Sequence, residues 1–404
     1  MTDRRADTTS EEFPIANARR TLLFSLVIVG MGFTVLFPVL APLGREIGLT
    51  EIEITAIITC SSITVFLASP VWGRLSDRLG RKRVMLIGLF GFAGGTALFN
   101  SVLYAGMNGI LVGLGLFIAL IAARMIHALV MSATMPAANT YIADITDVNN
   151  RTKGMGAAGA ANNIGSIIGP AVAGLAVVSL LTPLWVMAVL ATLNGLFIWR
   201  FLPDTPPIAA ASRSPQRMRY TDPRILPYVV VGILMFTGMA LVQQTMGFRF
   251  QDMLGLSAAE TASTFGIAMM LSAGASLVSQ MVIVQRLNIR PFNLLKLAMP
   301  LLIVAFVMMT VVESLIWLNI SMMFLGLGMG MAGPGFMAGA SLAVSAQEQG
   351  AVAGVAGSCG PLGFAIGPLL GGLLYQIEGW LPYAVAAAIY IVLFGFMFRL
   401  GRHT

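Results

Sequence analysis

Along this chain, long apolar runs alternate with short clusters of basic residues. Residues 21–44, 84–123, 154–199, 314–347 and 379–398 contain no Asp, Glu, Lys or Arg. An apolar run of about 20 residues is enough for a helix to cross a bilayer, and several of these runs are long enough to cross twice. Turn residues and charges divide them into helices near 21–43, 52–74, 84–106, 109–135, 153–178 and 182–202. A polar segment rich in Pro, Ser and Arg follows, and helices resume near 225–248, 258–284, 291–312, 314–339, 350–374 and 379–401. The pattern predicts an all-α membrane protein of twelve transmembrane helices. Its organisation is a tail (1–20), a six-helix bundle (21–202), a central loop (203–224) and a second six-helix bundle with a short tail (225–404).

Composition excludes the soluble alternatives. Over the 404 residues, 57% are hydrophobic and 10% charged, against about 25% charged in an ordinary soluble domain. The tail carries Asp3, Asp7, Glu11 and Glu12 and lacks the layout of a signal peptide. Cys60 and Cys359 both fall in apolar runs, and with only two His no metal centre or cofactor is expected. With twelve spans, twenty-one Lys and Arg residues gather on the face that holds both termini, against Arg45 and Arg249 on the other. By the positive-inside rule the termini are cytoplasmic, which fits a plasma or inner membrane.

The two halves repeat each other. Gly48-Leu49-Thr50 returns as Gly255-Leu256-Ser257, 207 positions later, with Glu53 returning as Glu260. At a spacing of 198, Gly156, Gly165, Gly169, Pro170 and Gly174 match Gly354, Gly363, Gly367, Pro368 and Gly372. Six helices per copy give both copies one orientation, the parallel repeat of a large transporter class whose solute site lies between the halves.

Three motifs carry the chemistry. The loop after the second helix reads Gly73-Arg74-Leu75-Ser76-Asp77-Arg78-Leu79-Gly80-Arg81-Lys82-Arg83, one carboxylate among cations. The fifth helix carries Gly156, Gly165, Gly169, Pro170 and Gly174, small residues that let helices approach closely. The fourth helix holds a charged residue deep in a span, Arg124, with His127 three positions on and on the same helical face. Histidine is the side chain suited to changing charge near neutral pH.

These motifs resemble those of the major facilitator superfamily, in particular its twelve-helix drug:proton antiporter branch. The resemblance implies a conformational latch at Gly73, Asp77 and Arg81, joined by Asp144, and an antiporter seam along the fifth helix. It implies a proton-coupling role for Arg124, with His127 where the family motif usually has glutamine. It also implies a cavity lined by helices 1, 4, 7 and 10, for which Phe33, Phe37, Met131, Met235, Met239, Gln243, Asn319 and Met323 are candidates. No Asp or Glu lies at the centre of a span, and Thr50/Glu53 and Ser257/Glu260 read as helix-capping boxes. The implied function is secondary export of a small, partly apolar or amphiphilic solute in exchange for protons, by a monomer rocking in the lipid bilayer. The alternatives are a metabolite carrier of the same fold, exporting a sugar, siderophore or amino-acid derivative or importing a nutrient, and a non-transport receptor or membrane enzyme. An enzyme would want paired carboxylates, a metal cluster or a Ser/His couple within the spans, and none appears.

Overall fold

The computed structural model describes residues 6–146, 151–204, 218–287, 289–345 and 348–400, with side chains described from Asn17 to Met397 outside a few further positions. Arg4, Arg5, Arg213, Arg217 and Arg402 of the expected basic face lie outside the described residues, as do the side chains of Arg151, Lys153 and Arg399.

Twelve helices make up the described chain. They are α1 (Asn17–Glu46), α2 (Glu51–Leu79), α3 (Arg81–Met107), α4 (Gly113–Asp144), α5 (Gly154–Val177) and α6 (Thr182–Phe201). The second set is α7 (Leu226–Leu254), α8 (Ala258–Val284), α9 (Pro291–Val311), α10 (Leu315–Leu342), α11 (Ala351–Ile377) and α12 (Leu381–Leu400). Eleven are long and apolar enough to cross a membrane, and α12 carries a shorter apolar stretch, Leu381–Met397. No strand occurs among the described residues. The expected ends fall within four residues of these, except that α2 and α7 run on past 74 and 248 to Leu79 and Leu254, and α4 runs on to Asp144, nine residues past its expected end at 135.

Local chemistry sets the boundaries. Thr50 and Ser257 cap α2 and α8, each accepting from the N–H of its Glu while Glu53 and Glu260 accept from the cap residue's N–H (2.8 and 2.9 Å). This satisfies two of the donors a helix start leaves orphaned. Gly80 turns the chain from α2 into α3 at φ +94, a conformation closed to most side chains. Prolines break two of the helices. Pro38 and Pro136 supply no N–H to the carbonyls four residues earlier, at Thr34 and Ser132, and the helical winding is interrupted just there, at Val35 and at Ser132–Ala133. The last turns of α8, Ser279–Val284, are π-wound.

Each half closes on small residues. A Cβ at Gly165 would collide with the Val27 carbonyl, and one at Gly30 with the Asn162 carbonyl, so α1 and α5 touch backbone to backbone. In the second half Gly363, Gly367 and Gly371 bring α11 equally close to α7. The contacts between halves concentrate toward one face. Arg45 reaches Asp252, Ala41 meets Gly247, Pro170 meets Gly266, Thr55 meets Gly372, and the Thr59 hydroxyl accepts from Leu369 N–H (3.2 Å). All of these lie nearer the ends of the helices opposite the face where α1 begins and α12 ends. We call the latter the basic face.

Candidate functional site

Two cavities flank the line of α1 and α7, between the halves. The larger, about 400 Å³, is walled by α5 and α8 with parts of α1, α7 and α10. The smaller, about 250 Å³, lies among α1, α2, α4, α7 and α11. The larger one extends past Asn163 on α5 to Gln280 and Gln285 at the basic-face end of α8. With the opposite face held shut by the contacts above, the larger cavity reaches toward the basic face.

The expected cavity residues divide. Met239 and Gln243 line the larger cavity, and Phe33, Phe37 and Met131 line the smaller one. Met235, Asn319 and Met323 line neither. Met235 is fully buried, its carbonyl accepting from the Tyr390 hydroxyl (2.8 Å) inside the second half. Met323 points outward, 41% exposed, and the helical register gives its place to Met322 and Met329. Asn319 lies one turn before Met322, toward the closed face, with its Oδ1 buried and unpartnered.

Arg124 and His127 do meet. Arg124 Nη1 donates to His127 Nδ1 at 2.6 Å, so in the neutral ring the proton sits on Nε2, which is buried with no partner. A second ring proton would have to sit on Nδ1 and would break this bond. The guanidinium also lies over Phe99 (5.7 Å) and borders the smaller cavity. No carboxylate pairs with it among the described residues. Gly95 on α3 makes room for the histidine, since a Cβ there would stand 2.7 Å from His127 Cβ, and Phe92 packs on the ring at 5.1 Å.

The latch residues also gather. Buried Arg81 bonds Asp77 on one side and Asp144 (3.1 Å) on the other, all within the first half. Gly73 has nothing within 4 Å of where a Cβ would be. On the second half Arg224 holds Glu348 (2.9 Å) and Asp222, and this hydrogen bonding takes the Glu348 carboxyl down to about 2. The α5 motif is split: Gly165 and Gly169 pack on α1 and Pro170 on Gly266 of α8, whereas Gly156 and Gly174 face open space. The glycine seam is therefore a joint inside the first half, while Pro170 and the neighbouring Ala173 reach Gly266 of the other.

Two features escaped the sequence reading. One is the polar stripe Ser272, Ser276 and Gln280 in the wall of the larger cavity. Its four-residue spacing in a charge-free run was the available signal. The other is a clasp on the closed face. Arg45 donates to Glu51 (2.6 Å) in its own half and to Asp252 in the other (2.6 and 3.0 Å), while the Tyr375 hydroxyl donates to Asp252 (2.7 Å) and the Phe248 ring lies under the guanidinium (4.7 Å).

Twelve helices in two like-oriented halves around a one-sided cavity define a secondary membrane carrier. The chain belongs to the major facilitator superfamily, whose profile matches residues 22–363. It is 26% identical over 377 residues to Multidrug resistance protein 1 of Bacillus subtilis (strain 168), covering 90% of this chain and 91% of that one. Among solved structures, the human organic anion transporter MFSD10 superposes with a TM-score of 0.64 at 22% identity, over 95% of this chain and 99% of that one. The nucleoside transporter NupG gives 0.73 at 15% identity, over 95% and 99%; both structural likenesses show the fold. The chain is a multi-pass transporter rather than an enzyme.

Proposed function

We propose that this transporter exports a small, partly apolar solute from the cytoplasm in exchange for protons, acting as a monomer in the cell membrane with the basic face cytoplasmic. The observation that carries the reading is the Arg124–His127 couple. It is a buried titratable couple whose arginine borders the smaller cavity, and its hydrogen bond exists only while the histidine is neutral. Protonation would push two cations apart next to a cavity between the halves, which couples a proton to a change of shape. The lengthwise similarity to a multidrug resistance protein supports the outward direction and a broad solute range. The basic loops support the orientation. Under this reading Asp77, Arg81 and Asp144 act as a conformational latch on the outward-facing state, and the joint at Gly165 and Gly169 keeps the first half rigid as it rocks.

The metabolite-carrier reading draws on a specific feature, the side-chain amides Asn163, Gln243, Gln280 and Gln285 around the larger cavity. The test uses inverted membrane vesicles, a panel of aromatic solutes and an imposed pH gradient. Proton exchange predicts that accumulation stops when the gradient is collapsed. His127→Gln, which keeps a hydrogen-bonding side chain but cannot titrate, is expected to abolish gradient-driven accumulation and spare downhill exchange. Solute movement indifferent to the gradient would sink the antiport reading. A silent His127→Gln would remove His127 from the proton path.

A further inference from the structure

The larger cavity has an unusual lining for its size. Among the described residues no Asp, Glu, Lys, Arg or His borders it. An ion entering such a space gives up its hydration for nothing of opposite charge, a penalty of several kcal/mol. The charge next to the other cavity is Arg124, which would repel a cation there as well.

What the wall offers instead is unsatisfied amide. Gln243 lines the cavity, and its Oε1 is buried and without a partner; a turn of the side chain into the cavity would let that oxygen accept from a bound molecule. The side chains of Asn163 and Gln285 make no hydrogen bond with the described residues. Two hydroxyls of the same wall are already engaged, Thr34 donating to the Ser166 carbonyl (3.1 Å) and Ser166 to the Asn162 carbonyl (3.1 Å), whereas the Ser272 hydroxyl makes no hydrogen bond with the described residues. Gln280 is engaged too, donating to Ser276 (3.2 Å). The remaining surface is aliphatic and thioether, the latter from Met239, Met246, Met269, Met281, Met322 and Met329, flexible groups that mould to flat apolar bodies of different outline.

We propose that the larger cavity is the solute site and that it takes an uncharged aromatic or otherwise apolar compound bearing an N–H or O–H donor, held by Gln243, in preference to a lipophilic cation or an organic anion. The proposal deepens the transport reading by naming the charge class of its solute. It makes no use of the proton path, so the two can fail separately.

The experiment is a binding measurement on the whole protein in lipid nanodiscs, by equilibrium dialysis, with empty nanodiscs as the control for partition into lipid. Three probes share one ring system: 2-naphthamide, 2-naphthylmethylammonium and 2-naphthoate. No gradient is present, so a failure of proton coupling does not affect the result. The amide is expected to bind at least tenfold more tightly than either ion. Gln243→Leu should weaken the amide about fivefold, the worth of one hydrogen bond, and leave 2-methylnaphthalene, which has no head group, within twofold. Gln243→Glu should turn the preference toward the ammonium, an outcome that a loss of fold cannot mimic. Tighter or equal binding of the ammonium by the unaltered protein would overturn the proposal. Tighter binding of the naphthoate would overturn it in favour of the cavity beside Arg124. Equal loss of the amide and of methylnaphthalene in Gln243→Leu, without the reversal in Gln243→Glu, would also overturn it, and so would no specific binding of any of the three.

Discussion

At the scale of single residues, the polar couple depends on what faces it. His127 fits because Gly95 on α3 has no side chain, and Phe92 covers the ring. Gly95→Ala places a methyl within 3 Å of both Cα and Cβ of His127, and backbone cannot step aside as a side-chain tip can. The expected outcome is a displaced α4, loss of the Arg124–His127 bond and gradient-driven transport reduced at least tenfold, with the protein still inserted. Transport within twofold of the unaltered protein would mean that the couple tolerates displacement. Arg124 and His127 were legible in the sequence because a charge inside an apolar run stands out and a three-residue spacing sets a shared face. Gly95 was not, since one glycine among 44 has no mark until its neighbour across the helix pair is known. Met235, Asn319 and Met323 show the same limit. Their helices were found, but the face each presents depends on crossings that a uniformly apolar sequence does not encode.

At the scale of helices, the amino-acid pattern sets lengths and starts well, because charges, capping boxes and prolines act locally. The breaks at Val35 and Ser132–Ala133 follow from prolines visible in the chain. The joint between α1 and α5 follows from small residues in register, but which of the motif's glycines touch anything is decided by the crossing. That gives a paired test. Gly165→Val drives a branched side chain into the Val27 backbone and should destabilise the first half by about 3 kcal/mol or more, read as loss of folded protein in a thermal melt. Gly174→Ala meets nothing within 4 Å and should leave the melting temperature unchanged. Equal behaviour of the two would mean that α5 does not pack on α1 through this face.

At the scale of the molecule, the halves are held on one side by the Arg45–Glu51–Asp252–Tyr375 cluster and part on the other. Half-exposed ion pairs are worth on the order of 1 kcal/mol and weaken with salt, so the clasp tips a balance. Asp252→Asn removes the anion from the second half while Glu51 still satisfies Arg45. The closed face should then open more often, by about two- to tenfold, seen as a longer-distance population between spin labels at positions 108 and 313. High salt should produce the same shift in the unaltered protein and little further shift in the variant. An unchanged distance distribution would show that the apolar contacts alone keep that face shut.

The clasp has a further consequence for how the two halves find each other. Arg45 and Asp252 are 207 residues apart, the same interval that separates Gly48 from Gly255 and Glu53 from Glu260. They are one position of the repeat, seen twice, and they meet close to the axis that relates the copies. Two identical copies placed about that axis would set arginine against arginine, or aspartate against aspartate. The bond is available only to unlike copies. It therefore arose after the repeat had diverged, and it favours pairing of unlike halves: the first half made as a separate polypeptide would find no counterpart of Asp252 in its own twin and would find one in the second half.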